Sequence, residues 1–348
     1  MKIDPLDISV VVQGKVNEGA TSLCLKSIRE YLPKSEIILS TWEGTDVSGL
    51  DYDKALLNKD PGGVAFLLKD NHTNNGNRQL FSTQEGIKIA SRPYILKLRT
   101  DLFLESANFL DYWDKFSKSN PDYFVFKHKV LTSTVYAREK FKINNYLTPF
   151  HLSDFWFFGL KEDLEDYFLK TEFLNDIEAG NWQYKYPNKV TNLQFHWRYP
   201  PEQYYCVAWA KRHFSKIKFD DLSDWDRVNF ELSKKILYNN FIFLGYAQSG
   251  VMSMKEGHRS SMYREKDING LINFEVFQQR YAEFCDSEYA VGCSHEREQF
   301  SRTKNATKLK KHLKAFLKPV AWLFEPISIL KYFLKTLIDV VKNLNRMN

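Results

Sequence analysis

Short apolar runs alternate with longer mixed stretches through the first hundred residues. Ile8–Val12 (ISVVV) is a β-branched run of the kind that fills buried parallel strands. Gln13-Gly14 follows as a turn. Leu25, Ile28 and Leu32 then recur at helical spacing, with Thr21 or Ser22 as the cap and Pro33 as the stop. Glu36–Thr41 (EIILST) predicts a second strand and Ala55–Leu57 a third. This β-α-β order predicts a parallel sheet with helices on its faces. Lys69–Gly76 is a polar loop. Asn77–Ala90 places Leu80, Phe81, Ile87 and Ala90 on one side of a helix, and Tyr94–Leu98 predicts a strand that runs into Arg99-Thr100-Asp101. Ligands of open α/β sheets sit beyond the carboxyl ends of the strands. Gln13-Gly14, Trp42-Glu43 and Arg99-Thr100-Asp101 all fall at such ends, which is the physical argument for a ligand site there.

From Leu102 the alternation weakens. Tyr123–Phe126, Val130–Tyr136 and the dense apolar Phe155–Gly159 (FWFFG) predict strands, and Leu164–Leu174 and Glu202–His213 predict helices. This half is expected to be α+β and to pack against the first. Residues 250–300 carry no clear period. In the tail, Leu309, Leu313, Phe316, Leu317, Val320, Leu323 and Phe324 share one helical face opposite Lys311, Lys314 and Lys318. Pro326 interrupts, and Ile327, Leu330, Phe333, Leu334, Leu337, Ile338 and Val341 form a second apolar face. The pattern divides the chain into a body of residues 1–300, with halves 1–104 and 105–300, and an amphipathic tail, 301–348.

Charge sharpens that division. The 348 residues sum to +6, but residues 301–348 carry 11 Lys and Arg against 2 Asp and Glu, which leaves the first 300 at −3. The basic character belongs to the tail, and a near-neutral body argues against a nucleic-acid-binding domain. A hydrophobic content of 43% supplies a full core. Cys24, Cys206, Cys285 and Cys293 form no CxxC pair, so neither a zinc site nor a disulfide framework is indicated and a reducing compartment is the simpler expectation. The opening MKIDPLDISVVV has acids where a signal peptide needs a basic and then an apolar run. No stretch reaches the ~20 apolar residues of a membrane span.

The series VVQGKV, NNGNRQLFSTQEGIKIA, YILKLRTDLFL, HLSDFWFFGL and PEQYY resembles the WavE lipopolysaccharide synthesis family, over roughly residues 7 to 245; Asn75–Leu104 is its most specific part. That family is similar to GT-A glycosyltransferases. The resemblance implies a GT-A-like, Rossmann-type, mostly parallel sheet, a nucleotide-sugar donor bound by residues 1–104, and a growing glycan, free or lipid-linked, bound by residues 105–300.

Each candidate residue has a competing structural role. GT-A enzymes usually place Asp-x-Asp after the strand that ends here at Leu98, and its carboxylates hold a divalent metal on the donor diphosphate. Arg99 replaces the first acid. Asp101 either ligates Mg or Mn, or leaves Arg99 to pair with phosphate; their structural alternative is a cap and an ordinary ion pair. Asn75, Asn77 and Arg78 open the helix leading to this strand and suit a phosphate, or else form an Asn-rich turn. Gln13 and Gly14 fit beside the nucleotide, or make a plain βα turn. Asp154 and Glu202 are the candidate bases for an inverting transfer; a retaining one needs neither. His151, His196 and His258 could add a metal ligand, and Lys255, His258 and Arg259 are either a loop over the diphosphate or a solvated face. The tail suits an anionic bilayer surface, which makes the expected setting cytoplasmic and peripheral to the inner face of the membrane. A non-catalytic, membrane-bound glycan- or nucleotide-binding assembly factor is the alternative, and Arg99 in place of an acid is its main support.

Overall fold

The computed structural model describes residues 3–65, 73–141, 146–182, 197–222, 224, 226–263 and 270–289. The tail with its predicted helices, the boundary at 300, His196 and the first half of the 69–76 loop lie outside these residues.

The sheet begins as the apolar runs dictate. β1 (Ile8–Gln13), β2 (Glu36–Trp42) and β3 (Lys54–Asn58) pair in parallel. Every residue of β1 is buried, and each fully buried Val or Ile contributes about 1.5–3 kcal/mol. Helix α1 (Glu18–Tyr31) joins β1 to β2 and buries Leu25, Ile28 and Leu32's flank. Its cap is Asn17, not Thr21 or Ser22. The Asn17 side chain accepts from the Ala20 amide, and Thr21 Oγ1 accepts from the Asn17 amide, so the two satisfy each other's free N–H groups.

A two-stranded ribbon follows, β4 (Val64–Ala65) with β5 (Thr73–Asn74). Helix α2 (Gly76–Ile89) then leads into β6 (Tyr94–Arg99), which pairs in parallel with β1 on the side away from β2. β7 (Leu102–Leu104) leaves the main sheet. The second half does not form a separate layer. β8 (Val130–Ser133), β9 (Phe157–Leu160) and β10 (Phe241–Leu244) extend the same sheet, giving the order β10-β8-β9-β6-β1-β2-β3 with β9 alone antiparallel. Helices α3 (Lys161–Phe168), α4 (Pro201–His213) and α5 (Arg227–Asn240) connect these strands. β11 (Val251–Ser253) pairs antiparallel with β7, and α6 (Glu256–Tyr263) and α7 (Phe274–Phe284) close the described chain.

One predicted strand is absent. Tyr123–Phe126 has no ladder partner. Side chains take amides here and just beyond: Val125 and Phe126 donate to Asn240 Oδ1, and Lys127 and His128 donate to Asp163. Buried acceptors at the ends of neighbouring helices thus replace a strand's partners.

Candidate functional site

The sheet order fixes where a ligand can sit. The chain runs from β1 outward to β2 and β3, then returns past β1 to β6. Right-handed crossovers in opposite directions place α1 and α2 on opposite faces, and the carboxyl ends of β1 and β6 open a crevice between them. Gln13 and Arg99 are register partners at those two ends. Gly14 turns the chain away with φ +122°, and a β-carbon there would stand 3.3 Å from Thr100 Oγ1, so a larger residue would be strained and would crowd the β6 turn. The Gly14 amide donates to the Ser40 carbonyl and the Thr100 amide to the Gln13 carbonyl, tying three strand ends together. Gln13 itself is buried, with Oε1 accepting from Ser82 Oγ of α2.

A cleft of 980 Å³ opens here, at the upper end of small-molecule sites. Gln13, Gly14, Arg78, Arg99, Asp101 and Asp154 all line it. Asn77 does not. Its amide donates to the Leu174 carbonyl and accepts from the Leu174 amide, so it fastens the start of α2 to the segment after α3. Arg78 pairs with Asp60 at 2.7 Å and donates to Asn75.

Arg99 and Asp101 form a two-bond pair, Nε to Oδ1 and Nη2 to Oδ2, each 2.9 Å. Lys255 Nζ adds a 2.8 Å contact to Asp101 Oδ2. The lysine arrives through the β7–β11 ribbon, whose register and a Met254 amide bond to the Asp101 carbonyl set residue 255 over the turn. Burial alone would push the Asp101 carboxyl up. Arg99 and Lys255 outweigh it and hold the group at about 2. The sequence leaves the Lys255 cluster as either a loop over the diphosphate or a solvated face; the ribbon pairing that brings Lys255 to Asp101 is non-local. Arg259 of the same cluster donates to the Met254 carbonyl, and His258 shares a hydrogen bond with Ser253 and meets the Phe155 ring edge-on.

These residues do not fit a divalent cation as they stand. Both Asp101 oxygens are occupied by cations, the first acid of the usual pair is Arg99, and among the described residues no cluster of three His, Cys, Asp or Glu side chains is arranged as an ion cage.

Asp154 precedes β9 and lies across the cleft, with Oδ2 4.0 Å from Arg99 Nη1. Oδ1 is buried without a hydrogen-bond partner. Its backbone is fixed from below: Lys97 Nζ donates to the Asp154 carbonyl at 2.5 Å and Gln79 Nε2 at 2.8 Å. Lys97 sits in mid-β6 and is 1% exposed. A lone Lys inside an apolar strand was the one available signal for it.

Glu202, at the start of α4, lines a neighbouring cavity of 400 Å³ instead. Asn75 and Pro201 border both spaces. Burial, and then Asp154, push the Glu202 carboxyl above its ordinary range. His151 lines the same cavity, and burial drives its ring towards the neutral form.

Fold and site together define an α/β protein with a switch-point cleft, in which Arg99, Asp101 and Lys255 are paired at a strand end beside the Asp154 carboxylate. The family model described as WavE lipopolysaccharide synthesis matches residues 8–314, and the chain belongs to that family. No curated protein matches it. Among solved structures, the chain is similar to S. aureus TarS at 12% identity, TM-score 0.34, over 80% of this chain and 70% of that one. It is also similar to a Drosophila β-1,4-galactosyltransferase 7 mutant in complex with manganese, UDP-Gal and xylobiose, at 10% identity and TM-score 0.25. That match covers 46% of this chain and about half, 51%, of the galactosyltransferase chain. Neither likeness is close enough to carry an argument about the site.

Proposed function

We propose that this protein is a glycosyltransferase that moves a sugar from a nucleotide-sugar donor to a lipopolysaccharide or capsular glycan, free or lipid-linked, at the cytoplasmic face of the membrane. Family membership supports the setting. The observation that carries the chemistry is the meeting, in one strand-end cleft, of the Arg99–Asp101–Lys255 clamp with the Asp154 carboxylate, whose Oδ2 lies 4.0 Å from Arg99. In this reading the donor diphosphate lies against Arg99 and Lys255, with Lys15 and Arg78 at the rim. Asp101 orients the two cations rather than contacting phosphate. As the sugar leaves, negative charge gathers on the diphosphate, and cations already fixed in a partly water-excluded site stabilise it without reorganising.

Asp154 is the base in an inverting transfer. Its carboxylate takes the proton of an acceptor hydroxyl. The hydroxyl oxygen bonds to the anomeric carbon, and the bond to the diphosphate breaks with its electron pair passing to the phosphate oxygen. Glu202 serves less well by position, because it lines the neighbouring cavity and not the cleft that holds the cations. The alternative of a non-catalytic glycan- or nucleotide-binding assembly factor draws on Arg99 standing in place of an acid.

A donor-panel screen with purified protein, with and without Mg or Mn, decides between the two. Turnover of one nucleotide sugar to free nucleoside diphosphate is expected, with Asp154→Asn lowering transfer at least ~100-fold while donor binding persists. Binding without turnover across the panel would leave the assembly factor as the correct reading. A product that retains the donor anomer would remove Asp154 from the role of base.

A further inference from the structure

The 400 Å³ cavity beside the cleft is assigned no ligand by the chemistry above, and its walls are particular. Arg138 is its cation. The arginine's Nε donates to the Tyr136 carbonyl at 3.2 Å and its guanidinium lies 4.7 Å from the centre of the Phe141 ring. No hydrogen bond or ion pair to its two terminal nitrogens exists among the described residues. Arg138 is half-buried, and its forked end is open to an anionic partner.

Gln203 supplies a second open group. It is 2% exposed, and its Nε2 donates to the Pro149 carbonyl at 2.6 Å, which fixes the amide's orientation. The other atom, Oε1, is then an acceptor, and it is buried with no partner. Such an atom asks for a hydroxyl donor. Tyr136 holds the adjoining wall in a left-handed conformation, φ +62°. Bulky residues adopt that backbone only where the surroundings impose it, and such residues gather at ligand sites. Tyr136 and Trp197 give the cavity aromatic sides, suited to the apolar face of a pyranose.

We infer that this cavity is an acceptor subsite for a sugar ring that carries an anionic group, a carboxylate or a phosphate, with Arg138 reading the anion and Gln203 a ring hydroxyl. The inference rests on the glycosyltransferase reading, and it deepens it by naming the acceptor's charge class. Charge in the cavity is consistent with it. The only charged side chains among its described lining residues are Arg138 and Glu202, and burial pushes Glu202 towards its neutral form. The position is also right. Asn75 and Pro201 border both spaces, so a ring held here adjoins the cleft that Asp154 lines.

The test is binding of monosaccharide probes to the full-length protein by saturation-transfer NMR and calorimetry. Glucuronic acid, glucose 6-phosphate and glucose are compared, with nucleoside diphosphates titrated separately. The carboxylate sugar, the phosphate sugar or both are expected to bind at least tenfold tighter than glucose, and which one does identifies the source of the anion. Arg138→Gln is expected to erase that preference and leave nucleoside diphosphate binding unchanged, and Arg138→Lys to keep part of it. Equal binding of glucose and both charged sugars to the wild-type protein overturns the inference, as does a preference that survives in Arg138→Gln. The wild-type comparison decides even where the Gln variant does not fold. Failure of every nucleoside diphosphate to bind would instead remove the donor reading, and the two failures are separately visible.

Discussion

Lys97 shows how much one side chain can weigh at the scale of a residue. It is buried in mid-strand beneath Asp154, and burial pushes its amine down to about 7 from 10.5, with Asp154 drawing it partly back up and Arg99 pushing it further down. The folded value lies below the unfolded one. Between about pH 7 and 10.5 the unfolded chain holds a proton that the folded chain has released, so stability rises with pH across that window. Below it the cost of the buried charge is fully present, on the order of 5 kcal/mol. Lys97→Met removes that cost. The Asp154 carbonyl stays paired, because Gln79 also donates to it. The variant is therefore expected to be more stable than the wild type at pH 6, by about 2–4 kcal/mol, with the gain shrinking towards pH 10. Urea unfolding at several pH values measures this directly. Midpoints that follow pH in parallel for the two proteins would show that Lys97 is not a buried titrating amine.

At the scale of elements, close approach of α2 to β1 is what sets the cleft's floor. Ser9, Val11 and Gln13 alternate onto the face that α2 covers, where Gln13 meets Ser82. Gly86 permits the contact: a β-carbon there would overlap Val11 Cγ1. Helix propensity alone would favour Ala at this position by about 1 kcal/mol, but overpacking costs about 1–3 kcal/mol, so Gly86→Ala is expected to destabilise the protein. Adding Val11→Ala should relieve the overlap, and a double-mutant cycle by urea unfolding would then show a favourable coupling. Strictly additive costs would mean the helix already has room. These first elements were legible because β1, β2, β3 and β6 are apolar runs bounded by turn residues and α2 keeps its period. The same local reading failed where partners are distant. Tyr123–Phe126 has the composition of a strand, yet Asn240, more than a hundred residues away, takes its Val125 and Phe126 amides, and Asp163 takes those of Lys127 and His128 just beyond. The site divides in the same way. Arg99 and Asp101 follow from a strand end, whereas Lys255 reaches them through an antiparallel ribbon and Arg138 joins Glu202 across a cavity, and neither proximity is encoded in spacing along the chain.

The whole molecule separates binding of small anions from attraction to a surface. Residues 1–300 sum to −3, so any general attraction to anionic lipid must come from residues 301–348 with their +9. Among the described residues no helix is long and apolar enough to cross a membrane. Each Lys or Arg near an anionic leaflet is worth about 1 kcal/mol and is screened within a Debye length of about 8 Å at physiological salt. The tail's two apolar faces would add a contribution that salt does not remove. Vesicle co-sedimentation can therefore resolve the two parts. The full chain should bind vesicles containing phosphatidylglycerol and bind neutral phosphatidylcholine vesicles more weakly, and raised salt should abolish the difference between them. Truncation after residue 300 should release the protein from both. Because the family match continues to residue 314, donor turnover by the truncated protein must be measured alongside, to show that the body still folds. Undiminished vesicle binding by an active truncated protein would move the membrane contact from the tail to the body, where the net charge gives no reason to expect it.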